Sequence, residues 1–356
     1  MSSSGSPFSA PNRFTKPLYE RLRTHPKRIV FPDGLDLRVL RVAEKMVELE
    51  IGVPILLGNR EEIRALAKAN GVGLELVRIL EPKRSSDFSL FCERLERIER
   101  YKGNDGINAA KILQNPQYYA AMMLQYGHAD GCVSGNQTAP YGVFRPLLSL
   151  IKPNSTVPHV YSTTILVSDT LPHFGKDGML FLADTNMNID PEVGELAAIA
   201  AETGSLAHHF LGRQVRVAML SYSTHGSSTG ASVQRMQAAT ALAREKVNFD
   251  EIQIDGELQA DVALDAEAAE LKAPEMQRKE PADVLVFPSL DAAHISAKLL
   301  VHVGGAQPYG HLIMGLMRPA GQVPRTASME MILGTAAAVG AEAIKYRELH
   351  EEETHL

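Results

Sequence analysis

The sequence predicts an α/β fold made of two α/β/α domains with largely parallel sheets. Short apolar runs alternate with longer stretches of helical spacing along most of the chain, a rhythm typical of parallel sheets covered on both faces. The chain has 356 residues. That length exceeds the usual limit of one hydrophobic core, so two domains are expected. With 45% hydrophobic and 22% charged residues, the composition is ordinary for a globular enzyme.

The first series of elements begins with KRIVFP (27–32), which predicts a buried strand closed by Asp33 and Gly34. LRVLRVAEKMVELE then has helical spacing, VPILLGN predicts a second strand, and REEIRALAKAN is again helical. LVRIL predicts a third strand. Two helical stretches are expected within 86–127, and DGCVSG predicts a fourth strand.

A second series follows IKPNSTVP (151–158), whose proline and asparagine residues suit a domain connection. Five further strands are predicted, with helices over 191–210 and 231–246. These strands are VYSTTILVSD, MLFLAD, VRVAMLSYS, DEIQIDGE and ADVLVFPSL. We expect a flexible tail at 1–14, a first domain at 15–155 together with 311–356, and a second domain at 156–310.

Composition excludes several classes of protein. The net charge of −6 argues against broad nucleic-acid binding, so an anionic ligand needs a local concentration of Arg and Lys. The two cysteines, Cys92 and Cys132, form neither a CxxC motif nor a disulfide framework, which favours a cytoplasmic protein. Residues 1–14 lack the apolar core of a secretory signal. The apolar run at 331–344 contains Glu342 and is too short to span a bilayer.

Ligands of parallel sheets bind beyond the carboxyl ends of strands, and three such segments have the chemistry of anion sites. The first follows DGCVSG and is rich in small polar groups that could bind acceptor oxygens. Its candidates are Ser134, Gly135, Asn136, Gln137, Thr138 and Arg145. Gly131, Gly135 and Gly142 allow close backbone approach, and Arg145 can donate two hydrogen bonds to a phosphate. A polar surface connection with Arg145 in an ion pair is an equal alternative.

The second segment, SYSTHGSSTGAS (221–232), follows an apolar strand and precedes a helix that begins near Ala231. Free N–H groups at a helix N-terminus favour anions, although ordinary Ser/Thr capping explains the composition as well. Its candidates are Ser223, Thr224, Gly226 and Ser227. The third segment, GLMRPAGQVPRTAS (315–328), carries Arg318 and Arg325 before a helix near Ser328, and solvated arginines beside a capped helix are the alternative.

Other signals are weaker. Asp184, Asp255 and Glu257 end strands, where buried carboxylates more often receive backbone hydrogen bonds than take part in chemistry. His208 and His209 are better explained by packing or surface exposure than as metal ligands, because no partner histidine lies four residues away. We predict no metal site.

Taken in order, these segments resemble the phosphate acetyl/butyryl transferase family, the phosphotransacetylases. The resemblance covers about Arg28 to Ala343. It rests on DGCVSG with FRPLL, ADTNMNIDP, LSYSTHGSS, DGELQAD, FPSLDAAHISAKLL and GGAQPYGHLIMGL. It implies two α/β domains around a cleft, an architecture related to isocitrate/isopropylmalate dehydrogenase, with the C-terminal segment returning to the first domain.

The resemblance also implies the activity, which is reversible transfer of an acetyl or other short acyl group between coenzyme A and inorganic phosphate. Coenzyme A, acyl-CoA, phosphate and acyl phosphate are the implied ligands, and the second domain would supply the CoA and phosphate side of the cleft. No tightly bound cofactor, no metal, no nucleic acid and no membrane are implied, and a homodimer is typical of the family. Arg145 corresponds to a family arginine.

The C-terminal signature departs from the family's serine, arginine and aspartate. Arg325 is retained, but the serine position is Pro324 and the position of the aspartate base is Met331. Glu330, His294 or His311 could supply a substitute base. We rank His294 first because it begins the helix after a strand-end loop and its unperturbed pKa suits proton transfer at neutral pH; a helix-start histidine without a catalytic role is the alternative. A family arginine before Lys102 aligns with Glu99, beside Arg100.

These departures leave three hypotheses. The first is a phosphate acyltransferase in which Arg145, Arg325 and His294 are catalytic. The second is a catalytically impaired sensor or regulatory module for acyl-CoA or acyl phosphate, like the corresponding domain of large malic enzymes, which also carries a proline at the position of Pro324. The third is a dehydrogenase of the related fold, which would need metal-binding aspartates and a nicotinamide loop that the sequence lacks. The two retained arginines, in a chain without a malic-enzyme half, favour the first.

Overall fold

The computed structural model describes residues 8–98, 108–154, 159–171, 174–276 and 279–353. Within them, the chain divides into two compact units: Met1–Pro153 with Leu316–Leu356, and Asn154–Gly315. The predicted boundary between 155 and 156 lies outside the described residues, so the predicted domain limits stay a prediction. Both units are mixed α/β with mostly parallel strand pairing, which confirms the predicted fold class.

The described part of unit 1 contains five strands in the order β3-β2-β1-β4-β11, and every strand pair whose register is defined is parallel. These strands are β1 (Lys27–Phe31), β2 (Gly52–Leu57), β3 (Arg78–Leu80), β4 (Gly131–Ser134) and β11 (Ala320–Gln322). Most of their side chains are buried, as expected when helices cover both faces. Parallel pairing brings the carboxyl ends of β1, β4 and β11 to one edge of the sheet.

Unit 1 also contains eight described α-helices and a 3-10 turn at Pro82–Arg84. The helices are α1 (Thr15–Thr24), α2 (Leu37–Glu48), α3 (Arg60–Ala69), α4 (Phe88–Arg97), α5 (Ala109–Leu113), α6 (Pro116–Gln125), α7 (Pro140–Leu150) and α13 (Met329–Glu353). The two stretches predicted within 86–127 are three helices among the described residues, because Asn108 and Asn115 each cap a new helix start.

Among its described residues, unit 2 has six strands in the order β10-β5-β6-β9-β7-β8. They are β5 (Tyr161–Val167), β6 (Met179–Ala183), β7 (Val215–Leu220), β8 (Ile252–Leu258), β9 (Val284–Val286) and β10 (Gln307–Met314). β5 pairs antiparallel with β6 and β10, whereas β6, β7, β8 and β9 pair in parallel. The β5–β6 connection contains no helix among its described residues, and antiparallel strands need none.

The helices of unit 2 are α8 (Val193–Leu211), α9 (Ala231–Arg244), α10 (Ala260–Leu264), α11 (Ala266–Lys272) and α12 (Leu290–His302). A capping box between Glu192 and Glu195 starts α8, and Gly212 in the left-handed conformation (φ 65°) ends it. α9 begins at Ala231, as predicted. An apolar cluster on one side of the sheet includes Leu182, Ala218 and Leu285 and packs against α10, α11 and α12.

Part of the predicted flexible tail, 1–14, makes contacts at the start of α1. Phe14 is buried, and the Asn12 carboxamide accepts hydrogen bonds from the backbone N–H groups of Phe14 and Thr15, both at 3.0 Å. These contacts fix the start of α1, so the tail prediction can hold only for residues before Asn12. Residues 1–7 lie outside the described part of the chain.

Candidate active site

The first loop, defined here as residues 134–139 between β4 and α7, is built around the carboxylate of Asp33. Asp33 accepts hydrogen bonds from the Thr138 hydroxyl (2.7 Å), the Ser134 hydroxyl (3.1 Å), the Gly135 N–H (3.0 Å) and the Gln117 amide (3.1 Å). Asp33 follows β1, which pairs with β4, so the two strands deliver the acid and the loop to one place. From the sequence alone, Asp33 is predicted only to close a strand.

This bonding changes the interpretation of several predicted ligand donors. The hydroxyls of Ser134 and Thr138 and the N–H of Gly135 are directed at Asp33, so in this structure they hold the loop. Gly135 has φ 115°, and a side chain there would bring its Cβ within 2.3 Å of the Val323 carbonyl oxygen. Asn136 is 3% exposed, and its Nδ2 makes no hydrogen bond of full geometry, although the side chain is near enough to Asp36 to help lower the pKa of that carboxyl group; Gln137 is exposed. Asn136 and Gln137 are therefore the loop side chains with donors left for a ligand.

Arg145 lies on α7, one turn after the exposed Tyr141, and its Nη1 donates to the Tyr141 hydroxyl (3.1 Å). Its guanidinium also lies over the Tyr141 ring, 5.8 Å from the centroid. Within the described ranges, Arg145 forms no ion pair with a carboxylate, contrary to the surface ion pair that was the alternative. Its positive charge is available to an anion.

Arg325 lies at the same edge of unit 1. β11 pairs in parallel with β4, with Gln322 opposite Ser134, so the residues after β11 emerge beside the first loop. Pro324 and Ala327 close a turn through a 2.9 Å backbone hydrogen bond, and the Arg325 side chain is exposed. No acidic partner of Arg325 occurs among the residues that the structure describes.

One arginine connects the two segments. Nη1 of Arg38, on α2, donates to the carbonyl oxygens of Arg325 (2.9 Å) and Ala327 (2.8 Å), and Nη2 donates to the carbonyl oxygen of Asn136 (3.0 Å). The structure thus brings Arg325 and the first loop together. The third predicted segment, 315–328, is not a single loop, because it contains β11. Arg318 precedes that strand and is half-buried.

The second loop, defined here as residues 221–230 between β7 and α9, is organised by another strand-end carboxylate. Glu257 is 1% exposed and accepts from the Gly226 N–H (2.7 Å) and the Ser223 hydroxyl (2.9 Å). The Thr224 hydroxyl accepts from the Gln259 N–H, and the Ser227 hydroxyl accepts from the Thr224 N–H, both at 3.0 Å. In this structure Ser223 and Gly226 therefore donate to the protein's own carboxylate.

The hydrogen bonds to Glu257 also set its ionisation. Burial alone would raise the pKa of this carboxyl group, but the hydrogen bonds from Gly226 and Ser223 outweigh burial, so the pKa lies below its usual value. Asp184 has a similar structural role. It accepts from the Ser162 N–H (3.0 Å), the Ser162 hydroxyl and the Asn188 N–H (2.8 Å), as expected for an acid at the end of a strand.

His294, the predicted base, lies in the second turn of α12 and is half-buried. Its Nδ1 lies 3.0 Å from the carbonyl oxygen of Thr185. A carbonyl oxygen can only accept, so Nδ1 carries the proton and Nε2 of the neutral ring has a free lone pair. Proton abstraction requires a free lone pair of this kind.

His311 is a poorer base. It is 8% exposed, and its Nδ1 lies 2.8 Å from the Thr164 hydroxyl and 3.0 Å from the Thr185 hydroxyl. Burial, with smaller contributions from Lys298 and His294, lowers the pKa of His311 to about 3. The ring is therefore neutral and weakly basic at pH 7. Glu330, the third candidate, lies in the first turn of α13, where the Ser9 hydroxyl donates to it at 3.5 Å.

The positions that depart from the family signature have structural roles. The Pro324 carbonyl closes the turn that carries Arg325. Met331 is 5% exposed in α13, so its side chain packs in the interior, where a thioether neither accepts nor releases a proton. Glu99, Arg100 and Lys102 lie outside the described residues.

Across the described ranges, no group of three or more His, Cys, Asp or Glu side chains is arranged to hold a metal ion. The helices described there include none long and apolar enough to cross a membrane.

Comparison with known proteins agrees with this chemistry. A family model described as Phosphate acetyl/butaryl transferase matches residues 13–339. The chain belongs to this family. The phosphate acetyltransferase of Acetivibrio thermocellus is 33% identical over 330 residues, covering 93% of this chain and 98% of the relative. That of Bacillus subtilis is 34% identical, covering 89% and 95%.

Solved structures give the same assignment. The EutD phosphotransacetylase from Staphylococcus aureus superposes with a TM-score of 0.84 at 29% identity, covering 94% of this chain and all of that chain. A phosphotransacetylase from Streptococcus pyogenes gives a TM-score of 0.84 at 32% identity, covering 92% and 97%. The chain is therefore a phosphate acyltransferase, and the regulatory-module alternative is not favoured. A 4-hydroxythreonine-4-phosphate dehydrogenase from Salmonella typhimurium, at 14% identity and a TM-score of 0.50, shares the fold alone.

Proposed function

We propose that this phosphate acyltransferase moves an acetyl or other short acyl group reversibly between coenzyme A and inorganic phosphate. The observation that carries the proposal is the placement of Arg325 beside the first loop, through Arg38, in a chain that matches the family over nearly its whole length. Arg145 and Arg325 are exposed and have no carboxylate partner within the described residues. Two such arginines suit the oxygens of a phosphoryl group, because a guanidinium donates two parallel hydrogen bonds.

In the proposed reaction, the thiolate sulfur of coenzyme A attacks the carbonyl carbon of the acyl phosphate. A C–S bond forms, the C–O bond to phosphate breaks, and phosphate leaves with the electron pair. Arg145 and Arg325 neutralise the departing phosphate, while Asn136 and Gln137 donate from their amides. His294, whose Nε2 has a free lone pair, is proposed as the general base that takes the thiol proton.

Other predicted ligand residues have indirect roles in this scheme. Ser134, Gly135 and Thr138 position the first loop through Asp33. In unit 2, Ser223 and Gly226 hold the second loop on Glu257, and Thr224 holds it on the Gln259 N–H. The exposed Ser227 precedes the N-terminus of α9. We propose that this N-terminus takes an anionic part of coenzyme A. Arg318 is proposed as a further positive charge for phosphate. The scheme uses only the substrates and side chains of this chain, and it calls on no bound cofactor or metal.

The test is initial-rate formation of acyl-CoA from coenzyme A and acetyl, propionyl or butyryl phosphate. The wild-type chain should turn over at least one acyl phosphate, and Arg325→Ala should lose about 100-fold or more in kcat/KM. Arg84→Ala removes an arginine whose side chain is 74% exposed and serves as the matched control with unchanged rates. Coenzyme A binding without turnover in the wild type would contradict the proposal and restore the sensor hypothesis.

The base has its own test. His294→Gln should lower kcat by about 10²-fold or more and remove one limb of the pH–rate profile, because glutamine keeps an amide donor for the Thr185 carbonyl but has no proton acceptor of similar basicity. Glu330→Gln is the comparison. If only Glu330→Gln removes that limb, the base is Glu330 and the assignment of His294 is wrong.

We also propose a cytoplasmic homodimer. The family resemblance supports the dimer, and α12 offers a surface for it. Ile295 and Leu299 on successive turns, with Val303 just beyond, are 57%, 55% and 81% exposed. Leu299→Glu should yield a monomer in size-exclusion chromatography with light scattering. Leu271→Glu, on α11, is the control at 84% exposure, and dimers in both variants would exclude this surface. The free thiols Cys92 and Cys132 suit a reducing compartment.

A further inference from the structure

The guanidinium of Arg38 has every N–H group in use. Nε donates to Asp36 Oδ1 (3.1 Å), and Nη2 donates to Asp36 Oδ2 (2.6 Å) and to the Asn136 carbonyl oxygen (3.0 Å). Nη1 donates to the carbonyl oxygens of Arg325 (2.9 Å) and Ala327 (2.8 Å). A guanidinium has five N–H groups, and these five contacts account for all of them.

Arg38 is itself held in place. Asp36 caps the N-terminus of α2 by accepting a hydrogen bond from the Arg38 N–H at 2.8 Å, and it is 6% exposed. Its carboxylate therefore has a fixed position at the start of the helix. The ion pair raises the pKa of Arg38. For Asp36, burial alone would raise the pKa, but the interactions with Arg38 and with the side chain of Asn136 outweigh burial, and the pKa is lowered. Both groups are therefore charged at every pH at which the enzyme would be assayed.

The carbonyl partners of Arg38 belong to segments far apart in the sequence. Arg325 lies 287 residues from Arg38, and Asn136 lies 98 residues from it. Both segments carry groups proposed to bind phosphate, and α2 carries none of them. The partners are main-chain atoms, so the contacts set the course of the backbone at each segment.

We propose that Arg38 is a positioning residue that fixes the distance between the Arg325 turn and the first loop, and with it the geometry of the phosphate-binding groups. The proposal rests on the proposed function. Arg38 is not a phosphate ligand, because its donors are used and its charge is paired with Asp36. Its loss lets the Arg325 turn move relative to Asn136, and displacements of about 1 Å in positioning groups cost up to about 100-fold in rate.

Lysine cannot replace this residue. An ammonium group has three donors on a flexible stem and cannot reach two carboxylate oxygens and three carbonyl oxygens in one plane. Arg38→Lys should therefore raise the KM for phosphate about 10-fold or more while the KM for coenzyme A stays within about 2-fold. In Arg38→Ala, added guanidinium ion at millimolar concentration should restore part of the lost phosphate affinity, and ammonium ion should not.

The matched control is Arg28→Lys. Arg28 lies on β1 of the same unit, at the amino end of the strand. It also donates two hydrogen bonds to a carboxylate, from Nη2 (2.7 Å) and Nε (3.0 Å) to the two oxygens of Asp130. Arg28→Lys should lower the melting temperature by a similar amount without changing the KM for phosphate. A structural defect alone would make the two lysine variants indistinguishable.

Phosphate binding is also measured without turnover, as the rise in melting temperature of each protein with added inorganic phosphate. The positioning role is supported if Arg38→Lys needs about 10-fold more phosphate than wild type for the same rise in melting temperature, and Arg28→Lys does not. Equal phosphate dependence in wild type and Arg38→Lys overturns it, whether or not the enzyme turns over. An inactive wild type that still binds phosphate refutes the proposed function alone, and the binding comparison still decides the role of Arg38.

Discussion

The replacement Asp33→Asn tests whether a single carboxylate holds the first loop. Asp33 is 8% exposed and accepts four short hydrogen bonds: from Gln117, Ser134, Gly135 and Thr138. Asparagine keeps the shape but offers one acceptor oxygen, and its NH2 group faces donors. Hydrogen bonds to a charged group contribute about 1.5–3 kcal/mol each, and one buried unsatisfied donor costs about 1–3 kcal/mol. New hydrogen bonds made by the Ser134 and Thr138 hydroxyls offset part of the lost stability, so we expect the free energy of unfolding to fall by about 3 kcal/mol.

Two measurements check this expectation. Urea unfolding at pH 7 gives the stability, and initial rates at varied phosphate give the KM for phosphate, which should rise about 10-fold because Asn136 and Gln137 lose their support. Asp283→Asn is the control. Asp283 is 3% exposed, accepts from Arg213, and lies just before β9, at the amino end of the strand, so its loss should lower stability by a similar amount and leave that KM unchanged. Stability within about 0.5 kcal/mol of wild type, or an unchanged KM for phosphate in Asp33→Asn, would refute the reasoning.

Three further predictions concern charge. Arg145→Ala should lower kcat/KM about 100-fold in initial-rate assays, with Arg145→Lys intermediate; a loss below about 3-fold would exclude a phosphate contact. His311 has a folded-state pKa of about 3 against 6.5 unfolded, so the unfolded state binds more protons between these values. The free energy of unfolding should fall by up to about 1.4 kcal/mol per pH unit as pH drops through this window, and His311→Gln should reduce that slope in urea titrations. Glu257, whose pKa is lowered, stabilises the fold above its unfolded value of 4.5 and loses this contribution as pH falls through the folded pKa. Glu257→Gln should therefore cost more stability at pH 7 than at pH 3, and an equal cost at both would contradict the assignment.

The sequence predicted most of the fold because its signal is local. Most of strands β1 to β9 are apolar runs, which are detectable without knowing their neighbours. β11 was missed because Ala320–Gln322 contains little apolar side-chain surface, and β10 because Pro308 and Gly310 interrupt its apolar pattern. Both strands exist because neighbouring strands supply their hydrogen bonds, which is information that the local sequence does not carry.

The candidate site was predicted less completely. The loops were found from their composition, but Ser134, Thr138 and Ser223 donate to the protein's own carboxylates. Those acids lie far away in sequence, since Asp33 and Ser134 are 101 residues apart and Ser223 and Glu257 are 34 apart. The segment FPDGLDLR (31–38) offered a usable signal, because three charged residues directly after a buried strand are unusual unless each has a partner.

The most direct test of the central claim is the KM for phosphate in the reaction that forms acyl phosphate from acyl-CoA. It is measured at saturating acyl-CoA for wild type, Arg145→Lys and Arg325→Lys. Two arginines that hold the phosphoryl group predict that each lysine variant raises this KM about 10-fold or more while the KM for acyl-CoA changes less than about 2-fold. An unchanged KM for phosphate in both variants would show that the phosphoryl group binds elsewhere, and the account of the active site would be wrong.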